Sequence, residues 1–446
     1  MHQKISGFVR GLTTLPDLMN KAPRRPVSGV HFNEIMFERL LVIGTGLIGG
    51  SACAKAREKH LAARILGYSR PVESAHEAQR LGLVDECLPE SPTAEQLAGV
   101  CAVLLAMPVG QYAEVLKALL PNLPHDCLIF DAGSTKGNVQ HTVDKLSAEF
   151  PDTQLEKRFV GSHPIAGSER SGPAAAQADL FEGKTCFVSP GPQADSWRVA
   201  QVTKFWKAAG ATVRSMPAEE HDHMFGAVSH LPHLLAFAYV GGLLGVGTGN
   251  RPYSASAALE PAVQLFSRIA ASSPAMWVDI FQANKAVVLD SLNDFEHSLH
   301  ALSMAIENQH KTGLALLLAK AGSYRARWKA DPVGLNERAQ VLGEQSRLPR
   351  LVACAYVNSL LRTRHSRKFM LEGGGGFRDF SRIAAYTTPT WVEDCLENKQ
   401  VVLTELAGFK NSVSAIKQAI QDDQQETLYA LLNNVSAARK AWPIAE

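Results

Sequence analysis

Three segments of this chain combine residue types and spacings that could do chemistry. The first is Gly44-Thr45-Gly46-Leu47-Ile48-Gly49, which follows the apolar run Leu40-Leu41-Val42-Ile43 and leads into a helical pattern through Ala54 and Ala56. A strand, glycines at the G-x-G-x-x-G spacing and a helix predict a dinucleotide turn. There the first glycine permits the tight bend, the second lets the backbone approach a pyrophosphate, and the third lets helix and strand pack closely. Gly44, Gly46, Leu47, Ile48 and Gly49 are the candidate cofactor contacts. The other two segments, Asp131-Ala132-Gly133-Ser134-Thr135-Lys136-Gly137 and Gly161-Ser162-His163-Pro164-Ile165-Ala166-Gly167-Ser168-Glu169, are too polar for core. Both follow apolar runs, so they fall beyond strand ends, where open α/β sheets bind ligands.

The end of the second strand bears on which dinucleotide is bound. An NAD site usually places Asp or Glu about 20 residues beyond the glycines, against the ribose 2′-hydroxyl. This chain has Tyr68-Ser69-Arg70 at that point. Ser69 can donate a hydrogen bond and Arg70 can pair with a 2′-phosphate, which predicts NADP in preference to NAD.

These segments need a sheet to position them. Arg64–Tyr68, Cys101–Ala106 and Cys127–Asp131 are short apolar runs separated by helical sequence, which predicts a doubly wound parallel sheet of Rossmann type. From about residue 218 onward strand signals vanish and helical periodicity takes over. With 446 residues, about three domains are expected. The 45 Lys+Arg against 43 Asp+Glu leave +2, which supports no charge-driven nucleic-acid or membrane role. The seven Cys have no paired short spacing, so neither a metal site nor a disulfide framework is expected, and a reducing cytoplasm fits best. The most apolar stretch, Leu231 to Val246, contains Pro232 and His233 and is too short and polar to span a bilayer. Residues 1–36 are basic and aperiodic, and read as a flexible tail.

Taken in order, these segments resemble the prephenate/arogenate dehydrogenase family of tyrosine biosynthesis, over about residues 36 to 330. The resemblance rests on the glycine turn, Leu105-Ala-Met-Pro108, the Asp131–Gly137 and Gly161–Glu169 segments, Leu180-Phe181, and Ser229-His230-Leu231-Pro232-His233. It implies oxidation of a ring carbon bearing a hydroxyl, with loss of CO2 driven by aromatisation. His163 would take or polarise the hydroxyl proton, a task suited to histidine near neutral pH. Ser134 would assist at the same hydroxyl, and Pro108 would lie at the cofactor. Lys136, His233 and Arg268 would serve the substrate, with Arg268 gripping a carboxylate. The substrate is prephenate or arogenate; the residues do not choose between them.

The helical half repeats itself. Phe266-Ser-Arg-Ile-Ala-Ala271 recurs as Phe380-Ser-Arg-Ile-Ala-Ala385, an offset of 114 that also maps Trp277 to Trp391, Phe295 to Phe409 and Trp328 to Trp442. Leu231-Pro232 matches Leu348-Pro349 at offset 117. The expected organisation is therefore a nucleotide domain at 37–217 and two tandem copies of a helical, dimerisation-type domain at 218–329 and 333–446. The copies diverge in complementary ways. Copy one keeps His230 and His233 where copy two has Arg347 and Arg350. Copy two keeps the glycine-rich Gly374–Arg382, with Asp379 where copy one has Leu265. Since family members dimerise through this domain, the expectation is a covalent pseudo-dimer in which Asp379 completes the site; a homodimer is the other possibility. Two rival readings are a related NADP-dependent hydroxyacid or imine dehydrogenase and a catalytically impaired NADP-binding regulator. The His163-Pro-Ile-Ala-Gly167 motif argues against the first. Retention of Ser134, Lys136, His163, Glu169 and Arg268 argues against the second.

Overall fold

A computed structural model of the chain describes residues 35–167, 170–245, 261–326, 347–362, 375–385 and 389–442. Residues 1–34, Glu169, Gly374 and the join between the helical copies lie outside the described residues. The strands are β1 (Phe37–Ile43), β2 (Ala62–Tyr68), β3 (Glu86–Cys87), β4 (Ala102–Leu105), β5 (Leu128–Asp131), β6 (Phe159–Pro164), β7 (Thr185–Pro190) and β8 (Thr212–Ser215). They form one sheet in the order β3-β2-β1-β4-β5-β6-β7-β8. β4 and β5 are buried along their whole length, because separate apolar clusters cover the two faces of the sheet.

The sheet is parallel through β6, and β7 then runs antiparallel to β6, with His163 opposite Phe187. A parallel neighbour needs a crossover, usually a helix. Between β6 and β7 the described residues hold only the single turn Pro173–Ala175, so the chain doubles back beside β6. β6 also extends further than the apolar Phe159-Val160 suggests, so His163 stands inside a strand rather than on a loop beyond it.

Two helices of the nucleotide domain matter for the site: α1 (Leu47–Glu58) after the glycine turn, and α2 (Gly137–Glu149) after the Asp131–Lys136 segment. Copy one then contains α3 (Ala218–Phe225), a π-turn at Gly226–His230, α4 (Leu231–Leu243), the short helix Pro261–Ser267, α5 (Pro274–Ala283), α6 (Lys285–Glu307) and α7 (Lys311–Ala326). Copy two contains α8 (Arg347–Leu360), α9 (Gly375–Arg382), α10 (Pro389–Glu397), α11 (Lys399–Gln421) and α12 (Gln425–Lys440). The run Ala218–Leu243 is long and apolar enough to cross a membrane by length alone, but 89% of its most apolar window is buried inside the protein. It is a core helix.

The two copies interlock around a pseudo-two-fold axis and share one apolar core. α4 packs on α11 of the other copy, and α8 packs on α6. Contacts come in reciprocal pairs, as an isologous interface requires. Arg325 Nε donates to Ser381 Oγ at 3.0 Å, and its repeat mate Arg439 donates to Ser267 Oγ at 2.8 Å. Lys285 Nζ donates to the Gln421 carbonyl, and Lys399 Nζ to the Glu307 carbonyl, each at 2.8 Å. Mates also meet on the axis: Phe266 stacks on Phe380, with ring centroids 4.1 Å apart.

Candidate active site

The glycine turn has the backbone its sequence demands. Gly44 has φ +91°, and a Cβ there would lie 2.5 Å from the Ala106 carbonyl oxygen. A Cβ on Gly49 would strike the Gly44 carbonyl at 1.9 Å, so strand and helix touch through glycine. In front of Gly46 nothing lies within 4 Å of where a Cβ would be, and no side chain caps α1. The first amides of α1 therefore face open space with no acidic residue in the first turn, which is the geometry of a phosphate cradle. The residues present fit a dinucleotide.

Ser69 is buried and serves this turn. It accepts a hydrogen bond from the Thr45 amide at 2.7 Å and shares another with the Thr45 hydroxyl at 2.8 Å. Arg70 donates to the Tyr68 hydroxyl at 2.9 Å and pairs with Glu114 at 3.0 Å and with Glu90. The strand-end segment itself has no carboxylate, but the fold brings two onto the guanidinium.

Asp131, at the end of β5, organises the polar floor. Its carboxylate accepts from the Ser162 amide at 2.7 Å and the Gly133 amide at 3.0 Å, and takes the Lys136 ammonium as an ion pair. Lys136 is thus fully buried against Asp131 rather than presented to open space. Burial pushes the Asp131 carboxyl up, against the pull of Lys136 and the two amides. Ser134 lies within this pinned turn, and among the described residues its hydroxyl makes no hydrogen bond.

His163 is the end of a three-residue chain. Its Nδ1 lies 2.9 Å from His221 Nε2, and His221 Nδ1 lies 2.8 Å from Asp222 Oδ1. Asp222 in turn caps α2, accepting from the Lys136 amide at 2.7 Å and the Gly137 amide at 2.7 Å. A carboxylate loaded with amide donors can only accept, so His221 carries its proton on Nδ1. His221 Nε2 is then an acceptor, His163 donates from Nδ1, and His163 Nε2 keeps its lone pair. Burial, then His221, Lys136 and His230, hold His163 well below the ordinary histidine range; burial and Lys136 do the same to His221. Both rings are neutral near pH 7, and the tautomer of His163 is fixed with Nε2 unprotonated. His221 and Asp222 were not among the residues singled out from sequence. The adjacent His-Asp pair at the start of a predicted helix is the signal that could have found them.

The substrate-side candidates come from both helical copies. His233 donates from Nδ1 to the Ser229 carbonyl at 2.8 Å and stacks on Trp277, with centroids 3.8 Å apart; burial lowers its pKa to about 4. His230 is a satisfied core histidine, accepting from Asn284 at 3.1 Å, with its pKa lowered by burial to about 3. Arg268 is half-exposed and pairs with Asp379 of copy two at 2.7 Å. The start of α9 sits against the same place: a Cβ on Gly376 would lie 3.0 Å from Ile269 and 3.7 Å from His233. Copy two therefore reaches His233 and Arg268. Pro108 is exposed just beyond β4 and precedes the turn Val109–Gln111. Among the described residues no group of His, Cys, Asp and Glu could hold a metal ion.

The chain is similar to known proteins. The nucleotide-binding domain of prephenate dehydrogenase matches residues 52–215, and its dimerization domain matches twice, at 217–320 and 336–434. Bacillus subtilis prephenate dehydrogenase is 33% identical over 299 residues, covering 65% of this chain and 76% of that protein. Zymomonas mobilis cyclohexadienyl dehydrogenase is 31% identical over 278 residues, covering 61% of this chain and 90% of that protein. The A. aeolicus prephenate dehydrogenase structure, solved with hydroxyphenyl propionate and NAD+, has a TM-score of 0.58 and 33% identity, covering 66% of this chain and 99% of that one. With a nucleotide domain, a helical partner domain and relatives matched over most of their own length, the chain belongs to the prephenate/arogenate dehydrogenase family.

Proposed function

We propose that the protein oxidatively decarboxylates prephenate, arogenate or both, transferring hydride to NAD(P) with NADP preferred. The observation that carries this reading is the Asp222–His221–His163 chain, which leaves a neutral imidazole with Nε2 unprotonated. When bound, the nicotinamide supplies the hydride acceptor. His163 Nε2 takes the proton of the ring hydroxyl as the carbon beneath it gives up its hydride, and the oxygen becomes a ketone. The bond to the ring carboxylate then breaks, its electron pair aromatises the ring, CO2 leaves, and the oxygen recovers its proton from His163. Ser134 holds that oxygen. The ion pair of Lys136 with Asp131 fixes the floor rather than touching substrate.

The remaining carboxylate of the substrate is assigned to Arg268, oriented by Asp379, so one chain holds one complete site assembled from both helical copies. For the cofactor, a 2′-phosphate is proposed to take Arg70 from Glu90 and Glu114. The test is absorbance at 340 nm with purified protein, each of the two cofactors and each of the two substrates. Turnover with either substrate supports the reading. Nucleotide binding without turnover would instead identify a regulator.

A further inference from the structure

Helix α5 touches both His233 and the nucleotide domain. Trp277, on the face turned to the helical core, stacks on His233. Two residues later the helix has turned about 200°, and Asp279 points to the nucleotide domain. Its Oδ1 accepts from the Gly110 amide at 2.9 Å, and Val109 supplies a second backbone donor. Ala283, one turn on, packs against the nucleotide-domain core. The turn that Asp279 holds directly follows the end of β4, which abuts the cofactor cradle. Ala106 abuts both Gly44 and Gly49, and Gly133 beside Ser134 approaches Val109 so closely that a Cβ would lie 2.5 Å from it. Gly110 has no room for a side chain either, since a Cβ would meet Asp279 Oδ1 at 2.4 Å.

The repeat provides an internal control. Copy two has no nucleotide domain to hold, and α10 is the mate of α5. Trp391 keeps the place of Trp277, but Asp279 becomes Glu393 and Ala283 becomes Glu397. Glu393 is exposed and pairs at the surface with Lys311 at 2.7 Å. The helical fold itself therefore does not require an aspartate at this position; what differs is the neighbour it faces.

We propose that Asp279 is a positioning residue that couples the two ligands: it locks the Val109–Gln111 turn to the helix carrying Trp277, so that substrate against His233 and dinucleotide in the glycine cradle each tighten the other. This rests on the functional reading above. Coupling through a shared rigid element is typically about 5–150-fold in affinity and is reciprocal.

The measurement is the Kd of NADP+, by fluorescence titration, with and without saturating 4-hydroxyphenylpropionate. Wild-type protein is expected to bind NADP+ at least about fivefold more tightly with the analogue present. In Asp279→Ala that ratio should fall to about one, while Asp279→Asn, which retains the Oδ1 acceptor, and the surface control Glu393→Ala should keep it. Gly110→Ala, which displaces Asp279 without removing it, should behave like Asp279→Ala and serves if that variant fails to fold. An undiminished ratio in Asp279→Ala or Gly110→Ala, or a ratio of one in wild type, overturns the proposal. Failure of the analogue to bind wild type at all is a different result; it removes the substrate assignment and the coupling with it.

Discussion

Arg268 and Asp379 meet at 2.7 Å although 111 positions separate them and they belong to different copies of one helical domain. Arg268 is half-exposed, so the pair adds less than about 1 kcal/mol to stability. In the proposed function its value lies in holding a guanidinium at the angle a carboxylate needs. Asp379→Ala should therefore raise KM for the substrate about tenfold, equivalent to about 1.4 kcal/mol, with kcat and melting temperature nearly unchanged. Equal activity of the variant and wild type at low substrate would reduce copy two to a cover for the apolar face of copy one.

Asp222 does two things at once: it fixes the His221 tautomer and caps α2. An asparagine offers one acceptor oxygen where three donors now converge, so Asp222→Asn should lower kcat about 100-fold and cost about 1 kcal/mol in stability through the weakened cap. His221→Gln separates the two effects. It should lose kcat to a similar degree while the cap on α2 and the melting temperature stay in place. If His221→Gln turns over at the wild-type rate, the tautomer of His163 does not depend on the chain.

Much of this site was legible because local chemistry forces it. The glycine turn needs glycine at Gly44 and Gly49 whatever surrounds it, and the repeat of Phe266–Ala271 at Phe380–Ala385 is visible without any structure. What could not be read were the partners brought in from afar. Glu90 and Glu114 reach Arg70 across 20 and 44 positions. Lys136 was expected at the substrate and is held inward because the Asp131 carboxylate, buried at the end of β5, requires a counter-charge. The antiparallel β7 was hidden for a similar reason, since apolar runs do not record their direction. Pairing across an interface and strand polarity are tertiary facts.

The carboxylates around Arg70 make a specific claim about cofactor choice. An NADP 2′-phosphate must displace Glu90 and Glu114 from the guanidinium, whereas NAD need not. Glu114→Gln should therefore lower KM for NADP+ severalfold and leave KM for NAD+ unchanged. Arg70→Ala should cut the NADP+/NAD+ ratio of kcat/KM by about tenfold or more, the loss of a charge-assisted hydrogen bond of about 1.5–3 kcal/mol. An unchanged ratio in Arg70→Ala would place the 2′-phosphate, or the free 2′-hydroxyl, elsewhere.

Four histidines around the site, His163, His221, His230 and His233, are held neutral by burial, the last two at about 3 and about 4. Between those values and the ordinary histidine range near pH 6.5, the unfolded chain binds protons that the folded protein refuses. Stability therefore falls as pH falls through that window, by up to about 1.4 kcal/mol per pH unit for each histidine, and is constant from this source above it. Catalysis has the same sign, since protonating His163 removes the base. kcat/KM should stay flat from pH 8 down to 6.5 on the His163 side, and the acid limb should appear lower, where the melting temperature should also be falling. His230→Asn or His233→Asn should flatten the fall in melting temperature between pH 6.5 and 5. A melting temperature in wild type that is level across that interval would mean these rings accept protons while folded, and that water reaches them.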